Sequence, residues 1–178
     1  MNHQPRGAGP LDVSDVVRRQ IVRVHILEGS EPEHSLPTDA VASIERELEV
    51  RIPDDILAIM ASGSRLFCDK HGLRLDAVLD NQQRVVETEG PTDVFAVGEH
   101  PTKNGLYVLE EEWESPPFLL IYDIDARSLE PWALESWMER QIGTLEEAML
   151  MEGDLDAQKR AGRVPTRDEI DAFEPHLA

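Results

Sequence analysis

Carboxylates dominate the side chains with chemical potential. Glu110, Glu111, Glu112 and Glu114 crowd around Trp113, and Asp123 and Asp125 follow the most apolar run of the chain, residues 118–122. Two aspartates one residue apart point the same way where strand geometry persists. They take a hard cation when further oxygens join them, so a metal-assisted hydrolase centred on Asp123 and Asp125 is one reading and a capped turn is the plainer one. Cys68, beside Asp69 and close to His71, offers a thiol and an imidazole. They are neighbours in sequence, however, whereas nucleophile and base normally meet through the fold. The six histidines are scattered with no paired ligand spacing, GxSxG is absent, and GEHPTKNG lacks the glycine and lysine order of a phosphate loop. No catalytic, cofactor-binding or metal-binding residue is assigned, and no cofactor is expected. Trp113 reads equally as an aromatic anchor at an acidic rim and as simple core cover.

The totals limit the function classes. Among 178 residues, 36 Asp+Glu face 17 Lys+Arg, a formal net charge of −19. A surface for nucleic-acid phosphates is disfavoured by repulsion at that charge, whereas capture of a basic partner at a steered rate is compatible with it. Cys68 is the only cysteine, so no intrachain disulfide or thiolate metal cluster forms. MNHQPRGAGP holds no apolar run for a signal peptide, and no stretch approaches 18 apolar residues. A cytoplasmic protein without membrane contact is expected.

The elements that must position these residues begin with TDAVASIERELEVRIPDDILAIMASG, residues 38–63. Val41, Ile44 and Leu48 make one helical stripe and Ile56, Leu57 and Met60 a second. Pro53 marks the joint, and Asp54 and Asp55 occupy the first turn of the second helix. Val13, Val17, Ile21 and Val24 predict an earlier helix whose outer face carries Arg18, Arg19 and Arg23, either solvated or docked on the acidic remainder. Residues 65–68 read as short strand or coil, 73–79 as a strand turning irregular, and 82–89 as a short strand or helical turn. Strands are predicted at 93–98, 106–109 and 118–122, the last buried on both faces. A helical stripe from Leu134 to Ile142 ends at Gly143, a short helix covers 144–151, and Thr166 to Glu169 has capping-box spacing. The predicted organisation is a disordered segment at 1–10, one domain at 11–143 with an added N-terminal helix, and a charged, partly helical extension at 144–178.

IERELEVRIPDDILAIMASG resembles the opening motif of the SUKH superfamily. Glu45 and Leu48 stand at the first-helix positions, Ile52 and Pro53 at the turn, and Asp54, Asp55, Leu57 and Ala61 in the second helix, while Glu49 stands where glycine is common. VFAVG, NGLYVL, FLLIYD and ALESWMERQI are similar to the family's later strands and closing helix, with Ser136 introducing that helix. The resemblance covers about residues 38–142. It implies an α+β domain with a central, mostly antiparallel sheet flanked by helices, and a non-enzymatic binding protein. Many bacterial members are immunity proteins that block cognate toxins, and a fungal branch serves as a scaffold.

Together these readings give an expectation: a non-enzymatic immunity protein that occludes a protein partner, a basic toxin, through Glu111, Glu112, Trp113, Glu114, Asp123 and Asp125. A regulatory scaffold with a cellular partner is the alternative. Whether the chain forms a homo-oligomer stays open.

Overall fold

The computed structural model describes residues 4–178. The order is β1 (Gly9–Pro10), α1 (Asp15–Glu28), β2 (Ser35–Leu36), α2 (Thr38–Leu48), α3 (Asp54–Ser62), α4 (Arg65–Cys68), β3 (Gly72–Leu73) and α5 (Val78–Glu87). Then come β4 (Val94–Glu99), β5 (Gly105–Glu110), β6 (Phe118–Asp123), β7 (Ser128–Ala133), α6 (Leu134–Met151), α7 (Leu155–Arg160), α8 (Arg167–Ala172) and β8 (His176–Leu177). The fold is α+β: a five-stranded antiparallel sheet in the order β3-β4-β5-β6-β7 is flanked by helices.

Strand alternation divides the apolar side chains between two layers. Phe95, Val97, Tyr107, Leu109, Leu119 and Ile121 join the main core with apolar residues of α1, α3 and α6. Val94, Ala96, Leu106, Val108, Leu120 and Tyr122 form a smaller core with Val85 of α5. Leu119, Leu120, Ile121 and Tyr122 of β6 are thus buried on both faces, as the composition of the run predicts, while Phe118 at its start is exposed. At the opposite edge β3 lies very close to β4. A Cβ on Gly98 would stand 2.0 Å from the Gly72 carbonyl oxygen, and one on Gly72, whose φ is +124°, would stand 2.3 Å from that of Phe67. Only glycine fits either place.

The joint between α2 and α3 gathers the N-terminal segment. Glu45 accepts the Ile52 N–H at 2.7 Å and the Arg6 Nε at 3.0 Å, with both side chains under a tenth exposed. Arg6 also donates to Asp54 Oδ1 at 2.7 Å and to the Ile52 carbonyl. Asp54 Oδ2 accepts the Asp12 N–H at 2.7 Å, and Asp55 accepts the Ser14 N–H at 2.8 Å and its hydroxyl at 3.2 Å. Ser14 therefore spends its hydroxyl on Asp55 instead of capping α1.

Several expectations change. Disorder at 1–10 does not describe residues 4–10: Arg6 is buried and Gly9–Pro10 pairs with β8; residues 1–3 lie outside the described residues. Residues 65–68 are helical, and 82–87 belong to α5. Gly143 is no cap, because α6 runs through it to Met151. Ile142, Leu145 and Met149 keep a stripe at offsets of three and four, which outweighs the roughly 1 kcal/mol cost of an interior glycine. The boundary at 143 therefore falls inside a helix, and the tail is built into the domain. β8 lies between β1 and β2, and Thr38 and its hydroxyl donate to the Ala178 carbonyl. The capping box at Thr166 and Glu169 forms as its spacing predicts.

Removing Arg6 strands a buried carboxylate. Arg6→Ala is expected to cost roughly 3 kcal/mol, read as a lower urea midpoint with unchanged slope; a loss under about 1 kcal/mol would show that the segment is not held by this cluster.

Candidate functional site

The six residues expected to form one surface occupy two places. Glu111, Glu112, Trp113 and Glu114 lie in the connection from β5 to β6, whereas Asp123 ends β6 and Asp125 lies in the turn to β7. The length of β6, about 17 Å, separates the two groups. Asp123 Oδ1 accepts the Ala126 N–H at 3.0 Å, and Asp125 Oδ1 accepts the Asn104 side-chain amide at 3.1 Å. These two aspartates order the turns at one end of the sheet and do not extend the acidic loop at the other.

Trp113 is half-buried against the main core, and its indole N–H donates to the Arg51 carbonyl at 2.8 Å. Its role is to pin the loop beside the α2–α3 joint. The carboxylates around it stay outside: Glu110, Glu111, Glu112 and Glu114 are exposed, and none lies within ion-pair distance of a Lys or Arg among the described residues. The Glu111 N–H donates to the Asp93 carbonyl at 2.9 Å, which brings one more acidic residue to this end.

Basic side chains are used elsewhere. In the cluster on α1, Arg23 reaches Glu139 at 2.6 Å and Glu146 of α6, Arg19 stands 3.7 Å from Asp15, and Arg18 donates to the Phe173 carbonyl. The Arg23 guanidinium and the Gln20 amide hold the Glu139 carboxyl below its ordinary value. Arg23 thus docks on acidic groups of the same chain. Arg167 bridges Asp15 and Asp171 at 2.7 and 2.6 Å beside a cavity of about 840 Å³ between the N-terminal strand and α8. Of the charges lining that cavity, Arg167, Asp15 and Asp171 pair with one another, and Arg18 donates to the Phe173 carbonyl.

Groups with nucleophilic or basic potential are tied down. The Cys68 thiol donates to the Ile59 carbonyl at 3.1 Å, and burial pushes its pKa up to about 12. The His71 Nδ1 stands 3.8 Å from the Glu99 carboxylate. No three His, Cys, Asp or Glu side chains are grouped to hold a metal ion among the described residues. His25 departs from the expectation of a surface or lightly packed ring: it is buried in α1, its Nδ1 is 2.9 Å from the Ser30 hydroxyl, and desolvation holds its pKa below the ordinary value.

No helix is long and apolar enough to cross a membrane among the described residues. Compared with known proteins, the chain matches no family model, no curated protein and no solved structure.

Two outcomes follow from the tied groups. Iodoacetamide is expected to alkylate Cys68 in the native protein more than about tenfold slower than in the unfolded chain at mildly alkaline pH; equal rates would show an available thiolate. Because folding lowers the His25 pKa, the unfolded chain takes up that proton first, so stability falls as pH drops through the ordinary imidazole value of 6.5. The decline in melting temperature between about pH 7.5 and 5.5 should be shallower in His25→Asn; an unchanged slope would place the titration elsewhere.

Proposed function

We propose that this chain is a non-enzymatic binding protein of the immunity type, which neutralises a basic toxin by covering its active or substrate-binding surface. The observation that carries this reading is the set of four exposed carboxylates, Glu110, Glu111, Glu112 and Glu114, none of them ion-paired with a Lys or Arg among the described residues, on a loop that Trp113 anchors to the Arg51 carbonyl. Elsewhere many of the chain's arginines are paired internally, so this loop is a concentrated acidic field on a rigid base. Such a field steers a cationic partner and raises its association rate in a salt-dependent way. Inhibition then needs no bond chemistry. A standard interface takes about 800 Å² from each partner, under a tenth of this chain's 9738 Å² accessible surface.

The resemblance to the SUKH superfamily supports the same reading. The antiparallel sheet flanked by helices has the layout that resemblance implies. Glu49, where glycine is common in the family, ends α2 with φ +54°, a left-handed conformation that glycine adopts without strain. Asp123 and Asp125 each accept a hydrogen bond from a neighbouring turn, which favours the capped-turn reading of this pair over the metal-assisted hydrolase.

The test is affinity capture from the source organism, followed by expression of the captured protein with and without this chain. The expected result is a basic protein that stops growth alone and is silenced by one equivalent of the chain, with association slowing as salt rises. Capture of a cellular complex whose activity the chain leaves unchanged would overturn the toxin assignment.

A further inference from the structure

The outer strands of the sheet carry an apolar block that no helix covers fully. β6 and β7 pair Phe118 with Ala133, Leu120 with Pro131, and Tyr122 with Leu129. Directly opposed residues project to one face, and this is the face against which α5 packs through Val85. Leu120 and Tyr122 are buried there, but Phe118 is 61 % exposed, Leu129 is 40 % exposed, and Pro131 and Ala133 are exposed as well. Single exposed apolar residues are ordinary; a contiguous row on a rigid sheet is not.

The free edge of β7 is closed to a further strand. The Ile124 N–H donates to the Asn104 carbonyl at 3.0 Å, which sets the alternation of the ladder. Even-numbered residues of β6 bond to β5, and Leu119, Ile121 and Asp123 bond to β7. Their partners Trp132, Glu130 and Ser128 turn their backbone groups inward, so Leu129, Pro131 and Ala133 turn theirs outward. Pro131 therefore removes the central outward N–H, where an added strand would need a donor. An occupant must come onto the face and not along the edge.

Charge selects among occupants of the face. Glu110 shares the face of Leu106 and Val108 by alternation, and the loop with Glu111, Glu112 and Glu114 lies at the Phe118 end of the strip. A second copy would bring another net charge of −19. A cationic surface is attracted to the same place. The competing exposed apolar residues, Leu150, Met151 and Leu155 at the junction of α6 and α7, also lie among carboxylates, but there Glu146 is paired with Arg23, Asp154 caps α7, and Lys159 and Arg160 interrupt the acidic run.

We propose that the outer face of β6 and β7, anchored on Phe118 and Leu129, is the docking surface for one folded basic protein whose lysines or arginines meet the loop at residues 110–114. The proposal rests on the binding-protein reading above and adds the surface and the mode of engagement. Phe118 and Leu129 supply the apolar centre, the glutamates form the rim, and Trp113 holds the rim in place from behind.

The test uses the whole chain and, as probe, a display library of small folded domains with one randomised surface. Enriched binders are expected to place Lys or Arg around an apolar centre. Phe118→Ser with Leu129→Ser should weaken them at least about tenfold. Glu111→Lys with Glu112→Lys and Glu114→Lys should weaken them and remove their salt dependence. Leu150→Ser with Met151→Ser should change affinity by less than about twofold. All three variants alter exposed side chains, and an unchanged melting curve confirms their fold. Basic binders indifferent to Phe118 and Leu129 would overturn the surface while leaving the basic-partner reading intact. Uncharged binders lost with Phe118 would keep the surface and overturn that reading. Self-association abolished by Phe118→Ser would assign the face to a second copy, and a library without enriched binders would overturn both.

Discussion

A carboxylate withdrawn from water sets the constraint on which the rest depends. Glu45 is 8 % exposed in the last turn of α2, and an uncompensated charge there would be costly. The Arg6 guanidinium and the Ile52 N–H meet it. The first bond fastens the N-terminal segment, and the second fixes the chain between α2 and Pro53. From the same joint, Asp54 and Asp55 hold the backbone at Asp12 and Ser14 and set the entry of α1. The Arg51 carbonyl, one residue before Ile52, receives the indole of Trp113. Ion pair, joint and acidic loop are therefore one connected structure, and the proposed working surface is positioned by a cluster on the far side of Trp113.

Much of this was legible in the chain. Period-3.6 stripes located α1, α2 and α3, and the run at 118–122 located a strand buried on both faces. α5 escaped because only Val78, Asn81 and Val85 of its ten residues are buried, too few for a convincing apolar stripe. β7 escaped for a different reason: a proline such as Pro131 is disfavoured within a strand, and its place on an edge appears only when the ladder alternation is known. The extent of α6 was hidden by Gly143, a stop signal overridden by packing on either side of it.

The site was half legible. Four glutamates around Trp113 announce an acidic loop, but the orientation of the indole depends on a carbonyl 62 residues away. Asp123 and Asp125 follow that loop closely in sequence, but the extended strand β6 between them carries the two groups to opposite ends of the sheet. Phe118 begins the most apolar run of the chain, so composition alone places it in the core. Its exposure follows from the limited reach of α5, a fact of tertiary packing that no local pattern contains.

The most direct measurement is amide hydrogen exchange across the chain, alone and bound to its captured protein partner. Slowed exchange confined to the loop at 110–117 and to β6 and β7, with α6 and α7 unchanged, is the expected footprint. Protection over α6 and α7, or over the cavity between the N-terminal strand and α8, with β6 and β7 unaffected, would contradict it.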